Sequence, residues 1–291
     1  MTNISTPLAP KPDRPIDPLT RKVVDEIQQV AHRLGAPVFV VGAAARIILL
    51  ENVFGLHAGR ATTDVDVAFA LDRWEQFHAI KTLLLENPSF TAPDHLVHRV
   101  YFHAADLAHP YAIDLIPFGG IEASRDTIAW PPEMAVMMNV AGFSDAYAAA
   151  VRVQANPDLE MAVASLPGIA ILKLFAWADR RHENPKDVID LVILLRSYHE
   201  AGNESRIYED ADALAALEAA EYDPELAGAW LLGHDVATMA SSPTIARLDP
   251  LLNAETRDRL IEDMARAMEG RADALAYASR LLEQFTTGLA A

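Results

Sequence analysis

The residues best suited to chemistry in this chain are carboxylates. Thr62-Thr63-Asp64-Val65-Asp66-Val67-Ala68-Phe69 places two aspartates two positions apart in an alternating segment. On a strand, positions i and i+2 share a face, so Asp64 and Asp66 project together while Val65 and Val67 turn into a core. Like charges held this close repel unless a cation lies between them. A third carboxylate, Asp114, stands in the otherwise apolar Ala112-Ile113-Asp114-Leu115-Ile116-Pro117, where an unpartnered charge is costly. If the two strands pair, three carboxylates meet at one sheet edge. Such oxygen donors suit hard divalent cations, and Mg2+ commonly takes one or two carboxylates together with substrate phosphates. A pair of such ions clamps the attacking and leaving oxygens of a phosphoryl displacement.

A lone D-x-D has other readings: an exposed edge strand, a haloacid-dehalogenase-type aspartyl phosphatase, or a glycosyltransferase metal site. The phosphatase wants a long apolar strand before its aspartates, and the lead-in here is Ala58-Gly-Arg-Ala-Thr-Thr63. Upstream, Val41-Gly42-Ala43-Ala44-Ala45-Arg46 reads as strand, turn and helix. Gly42 permits close backbone approach, and the free N–H groups that follow form an anion site; the same turn also serves tight helix–strand packing. Downstream, Lys173 and Arg180 fall on one helical stripe, and Asp187 and Asp190 share a face at i, i+3. Lys173 aims at a phosphate or snorkels to solvent; Asp187 complements a helix N-terminus or works as a base; Asp190 pairs with Arg180 or joins the site. His95, His98, His103 and His109 cluster in sequence, but alternation puts His98 and His103 on opposite strand faces, which argues against zinc.

The elements that must position these groups begin after a leader over residues 1–18 with five prolines, which reads as mobile or extended. Apolar spacing predicts helices over Thr20–Leu34, Ala43–Phe54 and Arg73–Leu85, and strands over Pro37–Val41, Asp64–Leu71, His98–His103, Tyr111–Phe118, Ala149–Gln154 and Leu159–Ala164. From Ser165-Leu-Pro167 onward the period is helical: Pro167–Arg181, Pro185–Tyr198, Asp210–Ala220, Pro224–Met239 and two more helices between Pro250 and Phe285. The expected fold is α/β (α+β), a mixed-sheet domain over 19–165 followed by an all-helical domain over 166–291.

Composition narrows the partners. The 291 residues contain no cysteine, which removes disulfides, thiol nucleophiles and thiolate metal sites. The formal charge is −17, and residues 200–291 hold 18 acids against 7 arginines with no lysine. A generic nucleic-acid coat needs the opposite balance, although a local basic groove in the first two-thirds stays open. No apolar run approaches a membrane span, and the N-terminus lacks the apolar core of a signal peptide, so a cytoplasmic protein is expected.

Taken in order, these motifs resemble the nucleotidyltransferase superfamily, and more closely the AbiEii/AbiGii-type nucleotidyltransferase toxins. Gly42-Ala43-Ala44-Ala45-Arg46 is similar to the first motif of that family and Arg60-Ala-Thr-Thr63-Asp64-Val-Asp66 to the second. Leu172-Lys173-Leu-Phe-Ala176-Trp-Ala-Asp179-Arg180 resembles the third, and Lys186-Asp187-Val-Ile-Asp190-Leu191 the fourth. The resemblance spans about residues 40–200. It implies Mg2+-dependent transfer of a nucleotide from a nucleoside triphosphate to an acceptor hydroxyl. Asp64, Asp66 and Asp114 would be the metal ligands, with Lys173 and Asp187 also catalytic, and Gly42, Ala43, Arg46, Thr63 and Arg180 at the nucleotide. It implies further an RNA acceptor such as a tRNA 3′ end, and a cognate antitoxin. Where the family carries Ser or Gly after the turn glycine this chain has Ala43, which keeps the N–H and lacks the hydroxyl. Two alternatives stand beside this reading: the same chemistry on a small cationic, aminoglycoside-like acceptor, and a non-catalytic nucleotide-binding protein.

Overall fold

Asp17 and Pro18 open the first helix, α1 (Pro18–Arg33): the carboxylate accepts from the Thr20 N–H at 2.7 Å, and the fixed φ of proline suits the first turn. In this computed structural model, which describes residues 6–93, 96–105 and 107–291, α1 leads into β1 (Val38–Val41) and α2 (Gly42–Ile47). The helix predicted over Ala43–Phe54 is helical throughout, but from Ile48 to Phe54 it widens to a π-helix that ends on left-handed Gly55. There follow β2 (Asp64–Ala70), α3 (Trp74–Leu85), β3 (Phe90–Thr91), β4 (Arg99–Phe102) and β5 (Tyr111–Phe118). A separate hairpin, β6 (Thr127–Trp130) and β7 (Val136–Asn139), precedes α4 (Phe143–Ala148), β8 (Val151–Asn156) and β9 (Leu159–Val163). The remaining chain is helical: α5 (Leu166–Arg180), α6 (Lys186–Ser197), α7 (Glu204–Glu209), α8 (Ala211–Ala219), α9 (Pro224–Met239), α10 (Ser242–Leu248), α11 (Ala254–Ala267) and α12 (Ala274–Leu289).

The fold is the expected mixed α/β sheet with a helical C-terminal part. Seven strands lie in the order β3-β4-β5-β2-β1-β9-β8. β2 is central, antiparallel to β1 and parallel to β5. Its alternation is that of a strand with one face in the core: Val65, Val67 and Phe69 are buried, while Asp64 and Asp66 are partly open. α5 packs on α2 and α4 and joins α6 and α9, so the apolar interior runs without interruption from Ile16 to Phe285. Among the described residues no helix is long and apolar enough to cross a membrane.

From Thr6 the proline-rich segment is extended and pinned. Leu8 pairs with Val153 of β8, donating to Arg152 O and accepting from Gln154 N, each at 2.8 Å. Lys11 N–H donates to Asn52 O at 2.7 Å, and Ile16 is buried. The proline-free positions thus find partners on the sheet and the π-helix. The β6–β7 hairpin is absent from the sequence expectation for a physical reason: Ile128, Ala129 and Trp130 of β6 are all buried while Val136 and Met137 of β7 are exposed, so neither strand alternates and the pair shows no shared period of two. The two-residue strand β3 and the short helices α4, α7 and α10 span too little chain to show a period.

Candidate functional site

Register brings the acids together. Asp66 on β2 is directly opposite Asp114 on β5 and Val41 on β1, while Asp64 is opposite Ala112. Gly42, immediately after β1, has φ +67°, and a Cβ there would lie 2.0 Å from Asp66 Oδ2. Only glycine combines this left-handed turn with so close an approach to a carboxylate. Burial, then the charges of Asp114 and Asp64, push the Asp66 carboxyl up to about 7, opposed by Lys173 and Arg180. Asp66 is therefore where negative charge is least compensated, and the two cations of the helical part act on it.

The neighbours of the other two acids escape sequence reasoning. Arg99 lies opposite Asp114 on β4 and clamps it with two hydrogen bonds, Nε to Oδ1 and Nη2 to Oδ2, both 2.6 Å. The Asp114 hydrogen bond, against some loss by burial, raises the Arg99 guanidinium above its usual value. His98 Nε2 lies 3.9 Å from Asp114 Oδ1, and burial lowers its pKa. The hydroxyl that reaches the D-x-D is that of Thr62, donating to Asp64 Oδ1 at 2.5 Å; Thr63, expected at the nucleotide, has an exposed side chain. Period-2 alternation of β4 could have placed Arg99 on the Asp114 face, had the pairing been known.

The cations of α5 are interlocked with the acids of α6. Lys173 Nζ is 2.9 Å from Asp187 Oδ1 and 2.7 Å from Asp190 Oδ2. Arg180 grips Asp187 through Nε at 2.7 Å and Nη2 at 3.1 Å. Burial alone would raise the Asp187 carboxyl; the hydrogen bond from Arg180 and the charge of Lys173 hold it below the usual range. Arg180 thus pairs with Asp187. The partners of Asp190 are Lys173, Arg60 at 3.2 Å and Arg46 at 3.3 Å. Arg46, expected at the nucleotide, is instead fully buried against Asp190 and the Arg60 carbonyl, because its position on α2 faces α6 rather than the glycine turn. Ala43 is buried as well.

The hairpin touches both flanks of this cleft. Trp130 of β6 lies 5.6 Å from the His98 ring, beside Asp114, and Asn139 of β7 donates to Asp179, next to Arg180, at 3.2 Å. Of the histidines that cluster in sequence, His103 bonds Thr91, His109 is exposed, His98 lies beside Asp114, and His95 lies outside the described residues. Among the described residues no three acid or histidine side chains close around one point as a metal cage. The donor chemistry nonetheless suits a hard cation that arrives with phosphates, since that ion takes one or two carboxylates from the protein. Asp66 and Asp114, adjacent and like-charged, provide those.

The sequence profile described as nucleotidyl transferase AbiEii toxin, type IV TA system, matches residues 48–287. No curated protein matches the chain in sequence. Among solved structures, an antigenic nucleotidyltransferase-like protein from Paracoccidioides brasiliensis aligns at TM-score 0.41 and 15% identity, over 70% of this chain and 94% of that one. The antibiotic-resistance factor ANT(2'')-Ia aligns at TM-score 0.38 and 15% identity, over 71% and 98%.

Proposed function

The chain belongs to the AbiEii nucleotidyltransferase toxin family, and from that premise we propose a Mg2+-dependent transfer of a nucleoside monophosphate from a nucleoside triphosphate to an RNA hydroxyl, such as a tRNA 3′ end. The reading makes the chain the toxin of a toxin–antitoxin pair. One observation carries it: Asp66 and Asp114 share a register on neighbouring strands, while Lys173 and Arg180 act on the same carboxylate from the helical side.

Asp64, Asp66 and Asp114 are the carboxylates that would hold magnesium, which when bound neutralises phosphate charge and orients the displacement. The triphosphate lies over the Gly42 turn, where the absent side chain lets the Asp66 carboxylate come up against the backbone. Asp114, at the partly open end of the cleft, accepts the proton of the attacking hydroxyl. Lys173 and Arg180 stabilise charge on the departing pyrophosphate by position and electrostatics. Asp187, with both oxygens engaged by these cations, orients them. Transfer of label from α-32P nucleoside triphosphates tests the reading, with tRNA and an aminoglycoside offered side by side. The acid-rich helices of residues 200–291 favour the cationic acceptor as a second reading, since acid-lined clefts concentrate cations. Label on tRNA supports the first reading, label on the aminoglycoside the second, and nucleotide binding with label on neither the non-catalytic alternative.

A further inference from the structure

Among the described residues, Asp190 is a carboxylate that pairs with cations from each of the other motif-bearing segments. It sits on α6, yet its three cationic partners come from α2 (Arg46), from the loop that delivers Asp64 (Arg60) and from α5 (Lys173). Asp190 and Arg46 are both 0% exposed. With Asp187 and Arg180 included, the cluster holds four cations and two acids; Arg46 and Lys173 are buried, while the Arg60 and Arg180 side chains keep 28% and 50% of their surface exposed. Arg46 Nε and Asp190 Oδ1 meet each other at 3.3 Å as an ion pair without hydrogen-bond alignment, and Arg46 Nη1 is buried with no aligned hydrogen-bond partner among the described residues.

We propose that Asp190 is the positioning residue of the nucleotide site. It holds Lys173 Nζ at a fixed height above the acidic strand and, through Arg46 and Arg60, ties that height to the Gly42 turn and to the entry of β2. Asp187 fixes the same nitrogen from the other side, but its second partner, Arg180, belongs to α5 as Lys173 does. Asp190 alone couples the lysine to the two elements that present the turn and the D-x-D. It acts through Lys173 and touches neither phosphate nor acceptor. This inference rests on the nucleotidyltransferase reading.

The test is a double-mutant cycle of Asp190→Asn with Lys173→Met. It is read as the dissociation constants of the four α,β-methylene nucleoside triphosphates with Mg2+ and as kcat and KM for transfer. Asp190→Asn weakens analogue binding by about tenfold in the wild-type background, the size of one coupled buried pair, and by less than about twofold once Lys173 is methionine. A purely structural ion would weaken binding equally in both backgrounds, and that result overturns the proposal. Where Asp190→Asn alone does not fold, the charge-balanced Arg46→Gln/Asp190→Asn pair replaces it in the same cycle, with the same two outcomes. A wild-type chain that neither binds the analogues nor transfers label overturns the underlying reading. A wild-type chain that does both, with an additive cycle, overturns only the role of Asp190.

Discussion

The acidic strand pair and the cationic helix pair treat charge in opposite ways. On β2 and β5, Asp64, Asp66 and Asp114 are like-charged, partly open to solvent and only partly neutralised, by Arg99. Between α5 and α6, opposite charges interlock, with the buried Asp187 and Asp190 each meeting more than one cation. One half is left wanting positive charge and the other holds it in excess. A metal-bound triphosphate carries both signs, and under the proposed function it would lie between them. The comparison teaches that repulsion and attraction can serve one substrate: the first half costs folding energy until a ligand arrives, and the second contributes to folding without one.

The largest expected effect breaks the acidic half. Asp66→Asn should lower transfer by about a thousandfold or more, measured as incorporation of α-labelled nucleotide. Its ligand-free melting temperature at pH 8 should equal or exceed that of the parent, because a repulsion is removed. Lys173→Met breaks the other half, with about a hundredfold loss in kcat/KM. Here the melting temperature should fall, since Asp187 and Asp190 lose a shared partner. Opposite signs of the two stability changes are what the comparison demands, and equal signs would refute it. Gly42→Ala should cost about tenfold to a hundredfold, through a strained left-handed alanine and a methyl group at the Asp66 carboxylate, and shows as a fall in kcat/KM.

The pH dependence sharpens the acidic half. Asp66 keeps its proton in the folded chain up to about 7, whereas an unfolded aspartate loses it near pH 4, roughly. Between these values the folded state binds more protons, so stability from this group is full at the acid end and falls as pH rises to 7. Thermal melts of the ligand-free protein from pH 5 to pH 8 should show that decline, and Asp66→Asn should flatten it. The smallest effect is at the clamp on Asp114: Arg99→Gln should tighten Mn2+ binding, read by the loss of the free-ion EPR signal, by about threefold as the competing cation is removed.

The α/β order and the acidic pair were legible because they rest on local periodicity. Alternation in Asp64-Val-Asp66-Val puts two carboxylates on one face, and a charge amid Ile113 and Leu115 announces a partner. Gly42 was legible from its place between an apolar strand and a run of alanines. The partners were not, because they depend on register. Nothing near Arg99 in sequence says that it will meet Asp114, and nothing near Arg46 says that α6 will turn Asp190 toward it. Thr62 rather than Thr63 reaching Asp64 is a matter of which way one residue before a strand points. The hairpin escaped because three consecutive residues of β6 are buried while Val136 and Met137 of β7 face outward, so neither strand alternates.

That ribbon has a consequence for what enters the cleft. Its two strands bond to each other and belong to no larger sheet, yet one rests beside His98 and the other is tied to Asp179. A single element with a foot on either bank ties the two together, so shortening or stiffening it is expected to shift His98 relative to Asp179 without replacing any of the acids or cations between them.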